Sequence, residues 1–543
     1  MRRLEYMKKQ YSYESEWRQY AFPEDETHLA TEDELKEKYT AVSLDGESAY
    51  SAGGMPVLSD GHTAVINTAD ENTIIYGATG SKKTRVLIST LISILAMCRN
   101  GESMIIPDIK GELCCKGSMA AKIRGILKKN GYKIRVLNFR DLNGDGFNIL
   151  LTAYLTYRNG DRGNAMVMLH NLCDMLSRFY KGCTADPIWQ KTAREYLMSV
   201  AVLLFETCDD PEKINLLTLA SYADHKSCLN LEKIDSLLDR SNNIMTMLRN
   251  ILAEPERTRM STLATVNSFF SDLIINEKLL QMLSISTFRL EELYEAKTAL
   301  FLIMPDEVDS YNSAVGLILS QISVFLVSEA YKFGGKLPRR VNYICDEFCN
   351  YYIPGMERNI SAHRSRNIRW YLVCQSRKQL ELSYPREYHT ILANCSNIYF
   401  MGSSDPDLLR ELSERAGYTN ESEDGKPRPL ITPANLRSIR KGWEKSEVYF
   451  SSGPLTCVTE MPDIDQYKFL KEFTEEPQLP EYEYKELQVY TSTEMLKDVY
   501  NAHQAWQNMK SGKYQMTEEE LRLAEKYETM FCPKNVDSIV DKK

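Results

Sequence analysis

Short apolar runs alternate with longer stretches in which apolar residues recur at helical spacing. Residues 73–76, 104–108 and 134–139 predict strands. Residues 84–99 predict a helix, with Val86, Leu87, Leu91, Ile94, Leu95 and Cys98 at helical spacing, and residues 115–130 predict another. Gly101 and Gly131 stop them. Apolar strands joined by helices indicate a parallel sheet covered on both faces. Between about residues 150 and 295 the rhythm is lost. Residues 165–180, 188–207, 215–223, 231–236, 242–252 and 260–274 all predict helix, with no strand between them. The sheet pattern then returns. Strands are predicted at 299–304, 341–345, 368–374 and 396–401, helices at 312–331, 355–367 and 405–416, and a hairpin around 447–454. The expected organisation is one α/β domain, residues 46–150 and 296–470, with an all-α domain, residues 151–295, inserted into it. Residues 1–45 read as a polar leader, with acidic runs at 24–26 and 32–34. Residues 471–543 read as a charged helical tail.

The most informative stretch joins the first predicted strand to its helix: Tyr76, Gly77, Ala78, Thr79, Gly80, Ser81, Lys82, Lys83, Thr84. A strand, a Gly-rich turn and a helix opening on Lys-Thr is the layout of a phosphate-binding loop. Backbone N–H groups and the helix N-terminus face the phosphates, a Lys reaches the outer ones, and a Thr hydroxyl ligates Mg²⁺. Gly77, Lys83 and Thr84 fit the pattern; Lys82 stands where it has its second Gly. Glycine there allows close approach of the backbone and positive φ. A left-handed Lys costs roughly 1–2 kcal/mol, whereas a second cation attracts phosphate. These effects oppose each other, and the sequence leaves the sign open.

Later strands supply candidate partners. The strand at 341–345 ends in Asp346-Glu347, suited to holding Mg²⁺ through Asp346 and activating water through Glu347. The strand at 368–374 ends in Gln375, which in a RecA-like sheet lies beside the γ-phosphate and senses it. Arg364, on the helix before that strand, is a candidate arginine finger for the nucleotide of an adjacent subunit. Taken singly, each has a simpler reading: carboxylates in a loop, an ordinary strand end, a solvated basic helix end. Their joint occurrence in this order favours a nucleotide site.

On these residues the chain resembles the type IV coupling proteins, the TraG/TraD class of conjugative DNA-transfer ATPases. Asp108-Ile109-Lys110-Gly111-Glu112-Leu113 resembles the family's Asp-Pro-Lys-Gly-Glu-Leu. Phe147-Asn148-Ile149-Leu150 resembles its Tyr/Phe-Asn-Pro-Leu, and Asp186-Pro187-Ile188-Trp189 with Ala193 its Asp-Pro-Phe-Trp. Asp346-Glu347-Phe348, Ile353-Pro354, Arg364, Gln375-Ser376 and Asn394-Cys395 follow in family order, so the resemblance spans about residues 50–460. It implies a RecA-like P-loop NTPase domain with an inserted all-α domain, using ATP and Mg²⁺. It also implies a homo-hexamer with single-stranded DNA in its channel. The all-α domain would receive a relaxase–DNA complex, and the motor would face the type IV secretion channel, its ATPase and its inner-membrane components. Lys110 and Glu112 fall near the nucleotide side without an assigned role. Ile109 and Ile149 replace two family prolines, a minor change.

Composition narrows the picture modestly. The 543 residues are 43% hydrophobic and 26% charged, with a net charge of −9, which argues against a wholesale nucleic-acid coat but permits a local basic surface. The 13 scattered Cys contain no pair of CxxC motifs, so reduced thiols are expected rather than zinc. The first ten residues are charged, and the apolar stretches at 197–205 and 315–327 fall short of a bilayer span. Family members usually carry N-terminal spans and none is read in this sequence, so the expectation is a cytoplasmic protein, either held at the inner face of the plasma membrane by a separate membrane protein or a soluble relative. Two functions compete: a DNA-translocating ATPase, and a substrate receptor that keeps the fold with weak or absent turnover because of Lys82. A chromosome-partitioning translocase is disfavoured by the large helical insertion.

Overall fold

The computed structural model describes residues 28–45, 50–179, 187–238, 246–305, 310–419, 427–473, 479, 482–512 and 516–531. The acidic run at 24–26 and Asp186 lie outside them. The strands are β1 (Thr40–Ser43), β2 (Met55–Ser59), β3 (Thr63–Asn67), β4 (Asn72–Tyr76), β5 (Ser103–Ile109), β6 (Lys133–Asn138), β7 (Asn143–Gly144), β8 (Thr298–Met304), β9 (Val341–Cys345), β10 (Ile368–Cys374), β11 (Cys395–Phe400), β12 (Tyr418–Thr419), β13 (Arg428–Pro429), β14 (Lys445–Ser452) and β15 (Leu455–Pro462). β1, β3 and β2 form a small antiparallel sheet, and β12 pairs with β13.

The main sheet runs β15-β14-β11-β4-β10-β9-β5-β8-β6-β7. From β11 to β6 every pairing is parallel; the hairpin β14–β15 and the short β7 close the edges antiparallel. Its strands are apolar on both sides because both sides are covered. Along β8, Leu300, Leu302 and Met304 enter one core while Ala299, Phe301 and Ile303 enter the other; β9 divides Tyr343 from Ile344 in the same way. The first core continues into the helices between β7 and β8. The second lies under the helices Ser89–Met97 and Ser118–Lys129 and the hairpin. The predicted α/β architecture interrupted by an all-helical segment is the observed one.

The differences are local and have local causes. The predicted helix at 84–99 opens with a π-turn, Thr84–Ile88, before the α-helix Ser89–Met97. The helix at 115–130 starts only at Ser118, because Gly117 precedes it in a left-handed conformation (φ 94°). The helix at 355–367 is α from Met356 to His363 and 3-10 from Arg364 to Arg366, stopped by Asn367 at φ 65°. The polar helices Arg377–Ser383 and Tyr388–Ala393 escape the periodicity. The apolar helix Ser310–Lys332 is longer than its pattern suggests. By length and composition it suffices to cross a membrane, but its most apolar window is 72% buried within the fold.

The described part of the C-terminal region is docked. Its helix Ser492–Ser511 buries Met495, Val499 and Ala502 at helical spacing and packs on the helix His225–Leu237. Asn230 Nδ2 donates to Ser492 Oγ (3.1 Å) and Tyr222 Oη to the Tyr490 carbonyl (3.0 Å).

Candidate functional site

β4 ends at Tyr76, and its carboxyl end is flanked by the ends of β10 and β11. The turn that follows is tied to both neighbours: Gly77 N–H donates to the Cys374 carbonyl (3.1 Å) and Ala78 N–H to the Gly402 carbonyl (2.8 Å). Gly80 is left-handed (φ 75°), and so is Lys82 (φ 65°). A side chain at Gly77 would strike Ser81 Oγ and the Lys83 stem at 2.5–2.8 Å, so glycine is needed for space. Lys83 is buried and folds back over the turn. Its ammonium donates to the Gly77 carbonyl (2.6 Å) and the Ala78 carbonyl (3.4 Å) and lies 3.9 Å from Glu347 Oε1. Ser81 is buried, and its hydroxyl has no partner among the described residues. Thr79 stands exposed in the turn.

The carboxylates converge on this turn from β9. Thr84 Oγ1 donates to Asp346 Oδ2 (2.9 Å). Asp346 is buried, and that burial, reinforced by the charge of Glu347, raises its carboxyl above the ordinary range; Thr84 and Lys83 oppose the rise. Glu347 follows in a left-handed conformation (φ 48°), strain of a kind that collects at functional sites. It turns its carboxylate towards the β10 end, where Gln375 Nε2 donates to Oε2 (2.9 Å). Asp108, near the end of β5, accepts the N–H groups of Leu113 and Cys114 on one oxygen (3.0 and 3.2 Å). Burial pushes its pKa to about 8. The next-but-one residue, Lys110, is also left-handed (φ 88°) and exposed, as is the side chain of Glu112. Of the five non-glycine residues with positive φ among those described, Lys82, Lys110 and Glu347 follow β4, β5 and β9, and Leu142 follows β6 at the same end of the sheet.

Lys83, Thr84, Asp346, Glu347 and Gln375 are therefore brought together. Arg364 is not among them in this chain. It is exposed at the amino end of β10, and the seven residues of that strand, Ile368–Cys374, separate it from Gln375 by about 20 Å. The pair Asp346 Oδ2 and Thr84 Oγ1 offers hard oxygen ligands side by side, one an acid strained by burial, a donor set suited to Mg²⁺.

Sequence reasoning missed the surroundings of Lys82. Its ammonium donates to the Gly442 carbonyl (2.9 Å), lies 3.7 Å from Asp463 Oδ2, and sits 4.9 Å from the centre of the Trp443 ring. Arg85 reinforces the contact, with Nε donating to Asp463 Oδ2 (3.0 Å) and Nη2 paired with Asp465. The turn before β14 and the segment after β15 thus clip the loop from outside. No signal in the chain announces this, since the partners lie some 360 to 380 residues further on.

A family model described as type IV secretory system conjugative DNA transfer matches residues 24–438. Among solved structures, the bacterial conjugative coupling protein TrwBdeltaN70, in a trigonal form with sulphate, is 16% identical, with 84% of this chain and 96% of that one covered and a TM-score of 0.53. The plasmid coupling protein TrwB with the non-hydrolysable ATP analogue ADPNP is 16% identical over 84% and 95% of the two chains (TM-score 0.52). TrwB with ADP and Mg²⁺ is 16% identical over 85% and 95% (TM-score 0.51). At such identity the likeness shows the fold alone, a RecA-like α/β sheet with an all-α domain. No curated protein matches the chain.

Proposed function

Since the chain belongs to the type IV secretory system conjugative DNA transfer family, we propose that it is a coupling ATPase that receives a relaxase–DNA complex and drives single-stranded DNA into a type IV secretion channel. The observation that carries the reading is the convergence of Lys83, Thr84, Asp346, Glu347 and Gln375 at the carboxyl ends of three adjacent parallel strands. Lys83 exchanges its two loop carbonyls for the outer phosphates of ATP, while the N–H groups of Thr79, Gly80 and Lys82 to Thr84 are left for them, those of Gly77, Ala78 and Ser81 being bonded to carbonyls. Thr84 and Asp346 would hold Mg²⁺, whose charge would offset that building up on the β- and γ-phosphates. Glu347 takes a proton from the attacking water, and Gln375, bonded to the same carboxylate, orients it and registers the γ-phosphate. Arg364 serves the nucleotide of the neighbouring subunit in a homo-hexamer, consistent with its distance from the site in its own chain. The RecA-like domain comprises residues 46–150 and 296–470, and residues 151–295 form the substrate-receiving domain. The helix Ser492–Ser511 belongs with the latter through the Tyr222–Tyr490 and Asn230–Ser492 contacts, whereas Glu472, Phe473 and Tyr484 pack on the sheet domain. A separate membrane protein holds the assembly at the cytoplasmic face of the inner membrane, beside the channel ATPase.

A second reading, a receptor with weak or no turnover, is favoured by one observation: Lys82 is strained and clipped to the outside of the loop, and Lys83 is spent on loop carbonyls. A DNA-stimulated ATPase assay separates the two. The motor reading expects turnover that Lys83→Ala and Glu347→Gln abolish. Arg364→Ala should also be inactive yet regain activity when mixed with Glu347→Gln subunits. Tight ATP binding by a DNA-bound hexamer without turnover would overturn the motor and leave the receptor.

A further inference from the structure

Exposing a tryptophan forfeits more apolar burial than exposing almost any other side chain. Trp443 is 91% exposed, the most exposed large apolar side chain among the described residues. It stands beside the phosphate-binding turn, in the short turn Arg440-Lys441-Gly442-Trp443-Glu444-Lys445, and that turn is built rather than loose. Lys441 bridges Ser446, Gly442 N–H donates to the Lys445 carbonyl (3.0 Å), and a Cβ on Gly442 would meet that carbonyl at 2.3 Å. The turn meets the phosphate loop directly at Lys82 and indirectly through Gly402. Lys441 lies against Gly402, whose carbonyl holds the Ala78 N–H, and Gly442 accepts from the Lys82 ammonium. The same ammonium lies 4.9 Å from the indole centre. The ring is thus within one lysine side chain, plus that distance, of the residue preceding Lys83. One face carries a cation, and most of the ring is open to solvent.

We propose that Trp443 is the stacking platform for the base of the nucleotide whose phosphates sit on the loop at residues 77–84. This deepens the phosphate-loop reading and rests on it. A nucleotide held by its phosphates projects its base outward from the turn, and Trp443 is the large planar surface that the fold fixes there. Stacking on an aromatic tolerates any base, because every base presents a π-face. ADP and GDP therefore gain alike from this ring. Lys82 supplies the geometry: its ammonium orients the indole and lies between ring and loop, where it also meets the phosphate charge.

The test uses the full chain, with calorimetric titration of Mg-ADP, Mg-GDP and inorganic tripolyphosphate into the wild type, Trp443→Ala and Trp443→Phe. The expected result is a loss of about ten- to a hundredfold in affinity for both nucleotides in Trp443→Ala, mostly restored in Trp443→Phe, with tripolyphosphate affinity within about twofold throughout. ADP should also quench wild-type tryptophan emission, and Trp443→Phe should lose that quenching. Unchanged ADP affinity in Trp443→Ala overturns the proposal while leaving the phosphate loop intact. Quenching by a thymidine oligonucleotide but not by ADP assigns the ring to DNA and overturns it too. Wild type that binds neither ADP nor tripolyphosphate removes the phosphate-loop reading, and this inference with it.

Discussion

Lys82 sets a strained backbone against a clip, and the two contributions separate in a pair of substitutions. The left-handed backbone at φ 65° costs a residue with a Cβ about 1–2 kcal/mol. Against that, the ammonium bond to the Gly442 carbonyl at 2.9 Å contributes about 1.5–3 kcal/mol as a charged hydrogen bond. The exposed Trp443 ring adds about 0.5–1 kcal/mol. Lys82→Ala keeps the strain and loses the clip, so the loop should open more easily by about 2–4 kcal/mol. Lys82→Gly loses the same clip but relieves the strain, less about 0.4–1 kcal/mol for the extra freedom of the unfolded chain; it should lie about 1 kcal/mol above the alanine variant. A chain of several structural units does not unfold in two states, so a global melting curve is the wrong measure. Hydrogen exchange of the peptide at residues 77–90 reads the local opening directly. Exchange there should quicken about thirtyfold or more in Lys82→Ala, and be about fivefold slower in Lys82→Gly than in Lys82→Ala. Wild-type exchange in Lys82→Ala would show that the clip contributes nothing. Faster exchange in Lys82→Gly than in Lys82→Ala would refute the strain argument.

Two further predictions follow from buried groups away from the loop. Asp108 has a folded pKa of about 8 because of burial, against about 4 in an unfolded chain. Between those values the folded state holds the extra proton, so this group's contribution to stability falls as pH rises from about 4 to 8 and is fully lost above 8. Asp108→Asn should therefore shrink the difference between pH 5 and pH 8 in the hydrogen-exchange protection of residues 103–114, each corrected for its intrinsic rate; an unchanged difference would remove Asp108 as its source. Met495 is fully buried where the C-terminal helix meets the all-α region. Met495→Ala should cost about 2–5 kcal/mol of that docking, seen as faster proteolytic cleavage within residues 482–531 while the nucleotide site keeps its ADP affinity.

The parts of this molecule that the chain announces are those in which neighbouring residues decide. Apolar runs and the breaks at Gly101 and Gly131 locate the strands and helices because burial on both sheet faces leaves a continuous apolar signature. The convergence of Asp346, Glu347 and Gln375 was also legible, since parallel strands deliver their following residues to one edge. Turns fare worse. Gly117 and Asn367 shift helix ends by their left-handed backbone, which no periodicity records. Contacts such as Tyr222 to Tyr490 span 268 residues and arise only from the packed whole.

Lys82 belongs to this last group, and it shows why a departure from a motif is a poor guide to function taken alone. At the level of the chain, Lys in place of Gly is a defect of about 1–2 kcal/mol. In the fold the same side chain reaches Gly442, Trp443 and Asp463, and those contacts are of the size needed to offset it. Glycine at that position would relax the backbone but leave the 440–445 turn without its hold on the loop and Trp443 without its cation. The substitution is therefore half of a pair whose other half lies in the turn before β14. A replacement of Lys82 that leaves the turn unchanged perturbs both, and the meaningful comparison is between loops that carry the clip together with the lysine and loops that carry neither.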